Sequence, residues 1–150
     1  SKLENTKKIA DIFAKNIFKG NVMLFYGEIG VGKTTFIKFL INSLEKIDKK
    51  NISEITSPTF SLMNQYKLNK FDIHHYDLYR LKSEKDILSL SIFEDISDKI
   101  VLIEWPEILG EHKPRNTIDI NFEYGENFNS RYLTISAYEK LKIFDEFKSL

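Results

Sequence analysis

The apolar residues of this chain follow two different spacings, which predict helices in some segments and strands in others. Near the N-terminus they recur at steps of three and four residues, as on one face of a helix, at Ile9, Ile12, Phe13 and Ile17. We expect an amphipathic helix that begins at Asn5 or Thr6 and is ended by Gly20. The same spacing returns after Lys33 and predicts a second helix to about Ile47, whose inner side carries Phe36, Ile37, Leu40 and Leu44.

Continuous apolar runs predict two strands that are buried on both faces. Val22 to Tyr26 reads VMLFY, and Lys99 to Ile103 reads KIVLI. A run without alternating polar positions is typical of a strand covered on both sides. The second run is followed directly by an acid, Glu104.

Two pairs of segments predict β-hairpins. Phe60 to Tyr66 and Phe71 to Tyr76 flank a short polar connection that contains Asn69. Thr117 to Tyr124 alternates strictly between apolar and polar positions, and Tyr132 to Ala137 repeats the pattern after GENFNS. We expect each pair to fold back on itself.

Two shorter helices complete the predicted elements. Ser83 with Asp86 three positions later resembles a capping box, which predicts a short helix through Leu88. At the C-terminus a helical spacing predicts a final amphipathic helix, with an apolar side formed by Leu141, Phe144, Phe147 and Leu150.

The stretch GEIGVGKTT has the spacing of a phosphate-binding loop and lies between the first buried strand and the second helix. Gly30 and Gly32 allow backbone N–H groups to turn towards phosphate oxygens, and the helix adds the positive end of its dipole. Lys33 can supply charge to the β and γ phosphates, and the Thr34 hydroxyl can ligate Mg²⁺. We expect a nucleotide to contact this stretch at Gly27, Glu28, Ile29, Gly30, Val31, Gly32, Lys33 and Thr34.

Hydrolysis of a bound phosphate also needs an acid near the metal, usually at the end of a neighbouring buried strand. Glu104 fits this position best. Asp77 is the second candidate because it lies two residues after His75, so that both face one side of an extended segment. Alone, this pattern is more often a structural pair.

Two further residues are candidates for contact with the nucleotide. Thr59 in SPTF could place a hydroxyl near the γ-phosphate, and Trp105 could pack at the nucleotide. Alone, these two are better explained as part of a turn and as a buried aromatic.

Composition narrows the classes of function. The 150 residues are 42% hydrophobic, enough for one globular domain, and 22 basic residues balance 22 acidic ones. Cysteine is absent, which excludes disulfides and thiolate metal sites. The apolar runs are short and the N-terminus lacks the core of a signal peptide, so we expect a cytoplasmic protein without a membrane or DNA partner. The basic segment Lys46 to Lys50 leaves a local RNA contact open, although a solvated helix end is favoured.

Four stretches in this order, GEIGVGKTTF, SPTFSLMNQY, HHYDLYRL and VLIEWPE, resemble the TsaE family of small bacterial ATPases that are needed to make threonylcarbamoyladenosine in tRNA. The resemblance covers Gly27 to Glu107. It implies a P-loop NTPase-like α/β fold, a three-layer sandwich around a mixed, mostly parallel central sheet with a C-terminal β-hairpin plus helix. Glu28 and Ile29 replace the commoner Asp and Leu, which removes no phosphate or metal group.

The resemblance also implies roles for individual residues. Thr34 and Glu104 would hold Mg²⁺, and Glu104 and Asp77 would be the two functional acids beside the phosphate-binding Lys33. The resemblance does not decide which acid orients the attacking water. Further nucleotide contacts are implied for Thr35 at a phosphate, for Thr59 in a mobile switch loop and for Trp105 in the EWP motif.

The implied activity is weak, Mg²⁺-dependent hydrolysis of ATP to ADP that acts on a protein complex. Its partners would be the family's threonylcarbamoyl transferase subunit and the inactive paralogue of that subunit, with tRNA contacted only indirectly. A small-molecule P-loop kinase is the main alternative, but such kinases clamp phosphates with several arginines and this chain has only Arg80, Arg115 and Arg131. Arg131 could reach a nucleotide, although a surface role is favoured. A nucleotide-gated binding module with negligible turnover is the other alternative.

Overall fold

The computed structural model describes residues 2–126 and 130–137. In this part of the chain the α-helices are α1 (Lys2–Asn16), α2 (Lys33–Ile47) and α3 (Glu84–Leu90). The strands are β1 (Val22–Tyr26), β2 (Met63–Lys67), β3 (Asp72–Asp77), β4 (Lys99–Glu104), β5 (Thr117–Tyr124) and β6 (Arg131–Ala137). Short 3₁₀ segments occupy Ile96–Asp98 and Pro106–His112, the second with a break at Gly110.

One mixed sheet joins these strands in the order β2-β3-β4-β1-β5-β6. The inner pairs β3·β4, β4·β1 and β1·β5 are parallel, whereas the outer pairs β2·β3 and β5·β6 are antiparallel hairpins. Parallel strands carry their carboxyl ends to the same edge of a sheet, and ligands bind at that edge in open α/β folds. The ends of β1, β3 and β4 therefore meet at one place.

Helices cover both faces of the sheet, which explains why β1 and β4 are apolar throughout. Met23 and Phe25 pack on the side of α1 and α2. Val22 and Leu24 pack on the opposite side, with α3 and the 3₁₀ segment that follows β4. All four side chains are at most 1% exposed. The predicted three-layer arrangement with a mostly parallel sheet is confirmed.

Most predicted elements are present, with shifts at several of their ends. The first helix runs from Lys2 to Asn16, so it begins before Asn5, and the prediction that Gly20 ends it was wrong: the Gly20 N–H donates to the Lys99 carbonyl oxygen in the turn before β1. The first strand of the β2·β3 hairpin begins at Met63, so the prediction of a strand from Phe60 was wrong. A turn precedes that strand: the Leu62 N–H donates to the Pro58 carbonyl oxygen at 2.7 Å and Leu62 has a φ of 68°. A residue in the left-handed region interrupts an extended strand. The Phe60 side chain lies in the turn before it and is 85% exposed.

Other predictions agree with the structure or lie beyond its described part. The Ser83 hydroxyl accepts from the Asp86 N–H and caps α3, as its spacing predicted. The 3₁₀ segment Pro106–His112 was not predicted. The C-terminal helix predicted from Leu141 to Leu150 lies outside the described residues. Among the described residues, no helix combines the length and the apolar character that crossing a membrane requires.

Candidate functional site

The loop between β1 and α2 has the backbone of a phosphate cradle. Gly27, Gly30 and Gly32 have φ values of 140°, 78° and 114°, a region that L side chains rarely adopt. A Cβ on Gly27 would lie 2.7 Å from the Phe122 carbonyl oxygen and 2.9 Å from a methyl group of Val31. The loop therefore passes too close to β5 for a side chain at Gly27. Gly32 is the N-cap of α2, so the helix dipole points into the loop.

Lys33 lies at the centre of this loop with a buried charge. It is 5% exposed, its ammonium donates to the Gly27 carbonyl oxygen, and its Nζ lies 3.5 Å from the centre of the Trp105 ring. Burial lowers the pKa of Lys33 below its ordinary value of 10.5, and the charges of Glu104, Glu107 and Asp77 offset this only in part. Within the described residues no carboxylate forms an ion pair with Lys33. A buried ammonium without a carboxylate partner favours the binding of an anionic ligand.

Glu104 is held in place on both of its oxygens. Thr34 Oγ1 donates to Oε1 at 2.8 Å, and His75 Nε2 lies 2.8 Å from Oε2. His75 is fully buried and Glu104 is 2% exposed. Because Glu104 pairs with Asp77 in the register of β3 and β4, both acids end their strands side by side. The structure thus brings together the residues predicted to hold the metal, Thr34 and Glu104.

Asp77 anchors the loop that precedes β2. Its Oδ2 accepts from Thr59 Oγ1 at 2.9 Å and from Ser57 Oγ at 3.2 Å, and those two hydroxyls lie 2.8 Å apart. Its Oδ1 accepts from the Tyr79 backbone N–H at 3.0 Å. Asp77 is 4% exposed. The predicted second acid and the predicted loop hydroxyl are therefore in direct contact.

Trp105 covers Lys33 from a strained backbone position. Its φ of 57° and ψ of 54° are left-handed, which is unusual for a bulky residue. Tyr79 packs against it, with ring centres 4.8 Å apart and planes inclined by 48°. A ring face attracts a nearby ammonium. The indole thus covers the Lys33 ammonium in the cleft that the two acids also line.

Arg131 reaches the phosphate loop from the opposite side. Its Nε donates to the Val31 carbonyl oxygen at 3.1 Å, and its guanidinium lies 4.2 Å from the centre of the Tyr124 ring. Val31 itself is 2% exposed and packs in the core, so its side chain is turned away from any ligand of the loop. Glu28 and Ile29 are exposed at the tip of the loop.

A cleft of about 360 Å³ joins these groups. It is lined by Ile29, Gly30, Gly32, Lys33, Thr34, Thr35, Ser57, Thr59, Asp77, Tyr79, Glu104 and Trp105. Among the predicted contacts, Gly27, Glu28, Val31 and Arg131 are outside this lining and adjoin it through the loop backbone. Ser57 and Tyr79 were missed by sequence reasoning. Each lies two residues from a predicted site residue, Thr59 and Asp77, which was the only available signal.

The donor set suits a metal that is shared with a ligand. Within the described residues no group of three or more His, Cys, Asp or Glu side chains could hold a metal ion unaided. Thr34 and Glu104 offer two oxygens next to each other. Mg²⁺ commonly takes one or two protein oxygens and completes its shell with phosphate oxygens and water. The residues present fit Mg²⁺ bound together with a phosphate.

Comparisons with known proteins point to one family. The model of the family described as "Threonylcarbamoyl adenosine biosynthesis protein TsaE" matches residues 1–133. A "tRNA threonylcarbamoyladenosine biosynthesis protein TsaE" from Rickettsia conorii is 37% identical over 137 residues, which is 91% of this chain and 75% of the relative. A protein of the same name from Nostoc sp. is 34% identical over 140 residues, 90% of this chain and 82% of the relative.

The fold also matches a solved structure. The crystal structure of Bacillus subtilis YdiB superposes with a TM-score of 0.74 over 99% of this chain and 90% of that one, at 24% identity. That likeness supports the α/β fold alone. The family model and the sequence relatives go further: this chain belongs to the TsaE family.

Proposed function

We propose that this chain is a Mg²⁺-dependent ATPase that acts on a threonylcarbamoyl transferase complex during the formation of threonylcarbamoyladenosine in tRNA. Membership of the TsaE family supports the pathway, since the relatives carry that biosynthesis in their names. The observation that carries the catalytic part of the proposal is Lys33, a buried ammonium without an ion-pair partner in the described part of the chain.

The phosphate chain of ATP supplies the anion that Lys33 lacks. Charged groups are stable in a protein interior only when they are paired and hydrogen-bonded. The left-handed glycines of the loop and the N-terminus of α2 direct further N–H groups and a dipole to the same place. Thr35 is exposed at the start of α2 and lines the cleft, where it can contact a phosphate from the side.

Thr34 and Glu104 hold the metal in this proposal. When bound, Mg²⁺ neutralises charge that develops on the phosphates during transfer. Thr34 Oγ1 and Glu104 Oε1 would be the two protein oxygens that hold the metal, and His75 keeps Oε2 fixed so that Oε1 stays beside Thr34. His75 thus acts on the position of Glu104 and does not touch the ligand.

In this proposal Asp77 and the Thr59 loop act at the terminal phosphate. Their 2.9 Å hydrogen bond ties the loop to the end of β3. A γ-phosphate offers Thr59 another acceptor, so the loop would have one set of contacts with ATP and another with ADP. Because Glu104 is assigned to the metal, Asp77 is the acid proposed to orient the attacking water, with Oδ2 released when Thr59 turns to the γ-phosphate. Such a switch allows hydrolysis to reset the transferase complex between turnovers.

The alternative of a small-molecule kinase has little support at the site. Among residues 2–126 and 130–137, no arginine lines the cleft. Arg80 lies over the exposed Phe60 ring, and Arg115 is exposed outside the cleft. Kinases that transfer a phosphate to a metabolite surround it with cationic groups. No observation favours a metabolite as the acceptor in place of water.

The decisive experiment measures ATP hydrolysis by the purified protein, first alone and then with the transferase subunit and its inactive paralogue. We expect slow turnover that the pair stimulates and that Lys33→Ala and Glu104→Ala abolish. Glu111→Ala, at an exposed acid outside the cleft, is the matched control and should keep the activity. Stimulation that persists in both site variants, or phosphate transfer to a small metabolite, would contradict the proposal. Stoichiometric binding with no turnover even beside the pair would instead indicate a nucleotide-gated binding module.

A further inference from the structure

The loop that precedes β2 is fixed to the rest of the protein on both sides of its SPTF segment. Before that segment, Ser53 binds the buried carboxylate of Glu45 on α2. Its N–H donates to Oε1 at 3.2 Å and its hydroxyl donates to Oε2 at 2.5 Å. Ile55 follows and packs in the core. After the segment, the Leu62 carbonyl oxygen accepts from the Asp77 N–H at 3.0 Å. SPTF therefore lies between two fixed points.

One side chain joins the two ends of that segment. Asn64, the second residue of β2, donates from Nδ2 to the Thr56 carbonyl oxygen at 3.2 Å and accepts at Oδ1 from the Ser61 hydroxyl at 3.2 Å. Burial raises the pKa of Tyr66, and hydrogen bonds with the Asn64 side chain and the Thr56 backbone oppose that rise. Tyr66 packs against the core, so two side chains of β2 tie the Thr56 end to the sheet.

Asn64 also belongs to the strand pair that positions Glu104. It is the register partner of His75 in the antiparallel pair β2·β3. Directly opposite residues of such a pair point to the same face of the sheet. His75 Nε2 in turn lies 2.8 Å from Glu104 Oε2. The strands that hold the proposed metal position thus also hold the ends of the loop.

We infer that Asn64 is a positioning residue, which holds Thr59 ready for the γ-phosphate by bridging Thr56 and Ser61. This inference rests on the proposed function and names a residue that regulates the same site. Joining the ends of a loop reduces the number of conformations that its middle can adopt. A contact made by such a preordered loop costs less entropy than one made by a loop that must first be ordered. Asn64 acts through Thr59, whose hydroxyl lies 2.9 Å from Asp77 Oδ2.

The bridge should affect the binding of a triphosphate and not that of a diphosphate. A γ-phosphate is contacted only when the Thr59 loop is ordered beside it. ADP has no such group, so its binding does not depend on the order of this loop. Loss of the two hydrogen bonds should therefore weaken triphosphate binding about tenfold.

The test compares MgADP with Mg-adenylyl imidodiphosphate, a non-hydrolysable ATP analogue. Trp105 is the only tryptophan in the sequence and lies beside Lys33, so its fluorescence can follow both titrations. The first variant is Asn64→Leu, which nearly keeps the size of the side chain and removes both hydrogen bonds. Gln65→Leu is the matched control, because Gln65 is exposed and its amide binds Asp72. Asn64→Gln keeps an amide and is the conservative variant.

We expect Asn64→Leu to weaken binding of the ATP analogue by about tenfold and to leave ADP binding within about twofold of wild type. Unchanged ADP binding also shows that the variant is folded. Asn64→Gln should recover part of the lost affinity, and Gln65→Leu should bind both nucleotides as wild type does. Ser61→Ala removes one of the two hydrogen bonds at an exposed position and should weaken binding of the analogue alone by about threefold. It provides the same comparison if Asn64→Leu does not fold.

Two results overturn the inference and leave the proposed function intact. An equal loss for ADP and for the ATP analogue means that Asn64 only supports the fold. Unchanged binding of both nucleotides means that the loop is ordered without the bridge. The proposed function fails separately, if Lys33→Ala binds the ATP analogue as wild type does. A wild-type protein that binds neither nucleotide overturns both.

Discussion

Thr34 and Glu104 are 70 positions apart in the chain, and Thr34 Oγ1 donates a 2.8 Å hydrogen bond to Glu104 Oε1. The contact arises because β1 and β4 are parallel neighbours, with Phe25 in register with Glu104. The loop after one strand and the acid at the end of the other then share one edge of the sheet. This contact defines the proposed metal position and leads to the first prediction.

Glu104→Gln should reduce ATP turnover by about 100-fold or more, because the amide keeps the shape and loses the charge that the metal site requires. Steady-state phosphate release over a range of Mg²⁺ concentrations measures this. Glu111→Gln changes an exposed acid seven residues further on, outside the cleft, and should retain wild-type turnover. Equal rates in Glu104→Gln and in the wild type would refute the role of Glu104 at the metal.

His75→Leu should destabilise the fold by about 1 to 3 kcal/mol, because it leaves the buried Oε2 of Glu104 without its partner. Urea unfolding monitored by circular dichroism gives the change in free energy. The control is His74→Leu, since the neighbouring ring is half-buried and makes no contact with Glu104. His75→Gln retains an N–H donor and should recover part of both stability and turnover. Equal stability of His75→Leu and His74→Leu would mean that the hydrogen bond contributes little.

Because of Lys33, the free energy of unfolding and the affinity for MgATP should both change with pH in the alkaline range. Burial lowers its pKa in the folded protein below 10.5, so between these two values the unfolded chain binds more protons than the folded one. The contribution of Lys33 to the free energy of unfolding therefore rises with pH across that window. MgATP affinity should fall across the same window, because Lys33 loses the charge that binds phosphate.

Lys33→Met tests both effects. Its unfolding free energy should lack the alkaline rise seen in the wild type, while MgATP binding is lost at every pH. Lys38→Met, on the exposed side of α2, should behave as the wild type does. A parallel alkaline rise in wild type and Lys33→Met would assign the effect to another group.

Gly27→Ala should destabilise the protein by about 2 to 4 kcal/mol, because the new Cβ would lie 2.7 Å from the Phe122 carbonyl oxygen on a backbone with a φ of 140°. Gly20→Ala provides the control, since its φ of 97° is also positive but no atom lies within 4 Å of the added carbon. That change should cost about 1 kcal/mol, from backbone strain alone. Thermal and urea unfolding compare the two, and similar losses would argue against a close approach at Gly27.

Thr59→Val should reduce partner-stimulated turnover while leaving ADP affinity unchanged. The substitution keeps the shape and removes the hydroxyl that donates to Asp77 Oδ2. Thr56→Val makes the same change at an exposed position of the same loop and should be neutral. Calorimetric titration with ADP and stimulated phosphate release measure the two quantities. A matching loss of ADP affinity would indicate that Thr59 supports the loop and does not sense the γ-phosphate.

Much of the fold follows from local patterns. The apolar runs of β1 and β4 are continuous because helices cover both faces of the sheet, and α2 has the predicted bounds because the glycine at position 32 and the helical spacing after it are local signals. The start of β2 was misjudged because Phe60 is a strong strand former. There a turn through Pro58 and Leu62 overrides the propensity and leaves the aromatic exposed.

The sequence by itself determined that a phosphate loop lies between a buried strand and a helix, because the glycine spacing, Lys33 and the flanking patterns are all contained in one short stretch. Only the tertiary structure decided what surrounds that loop. Parallel pairing of β3, β4 and β1 brings Asp77 and Glu104 to the same edge, and packing places the Trp105 ring over Lys33. These contacts depend on strand order and on the direction of side chains, which spacing along the chain does not specify.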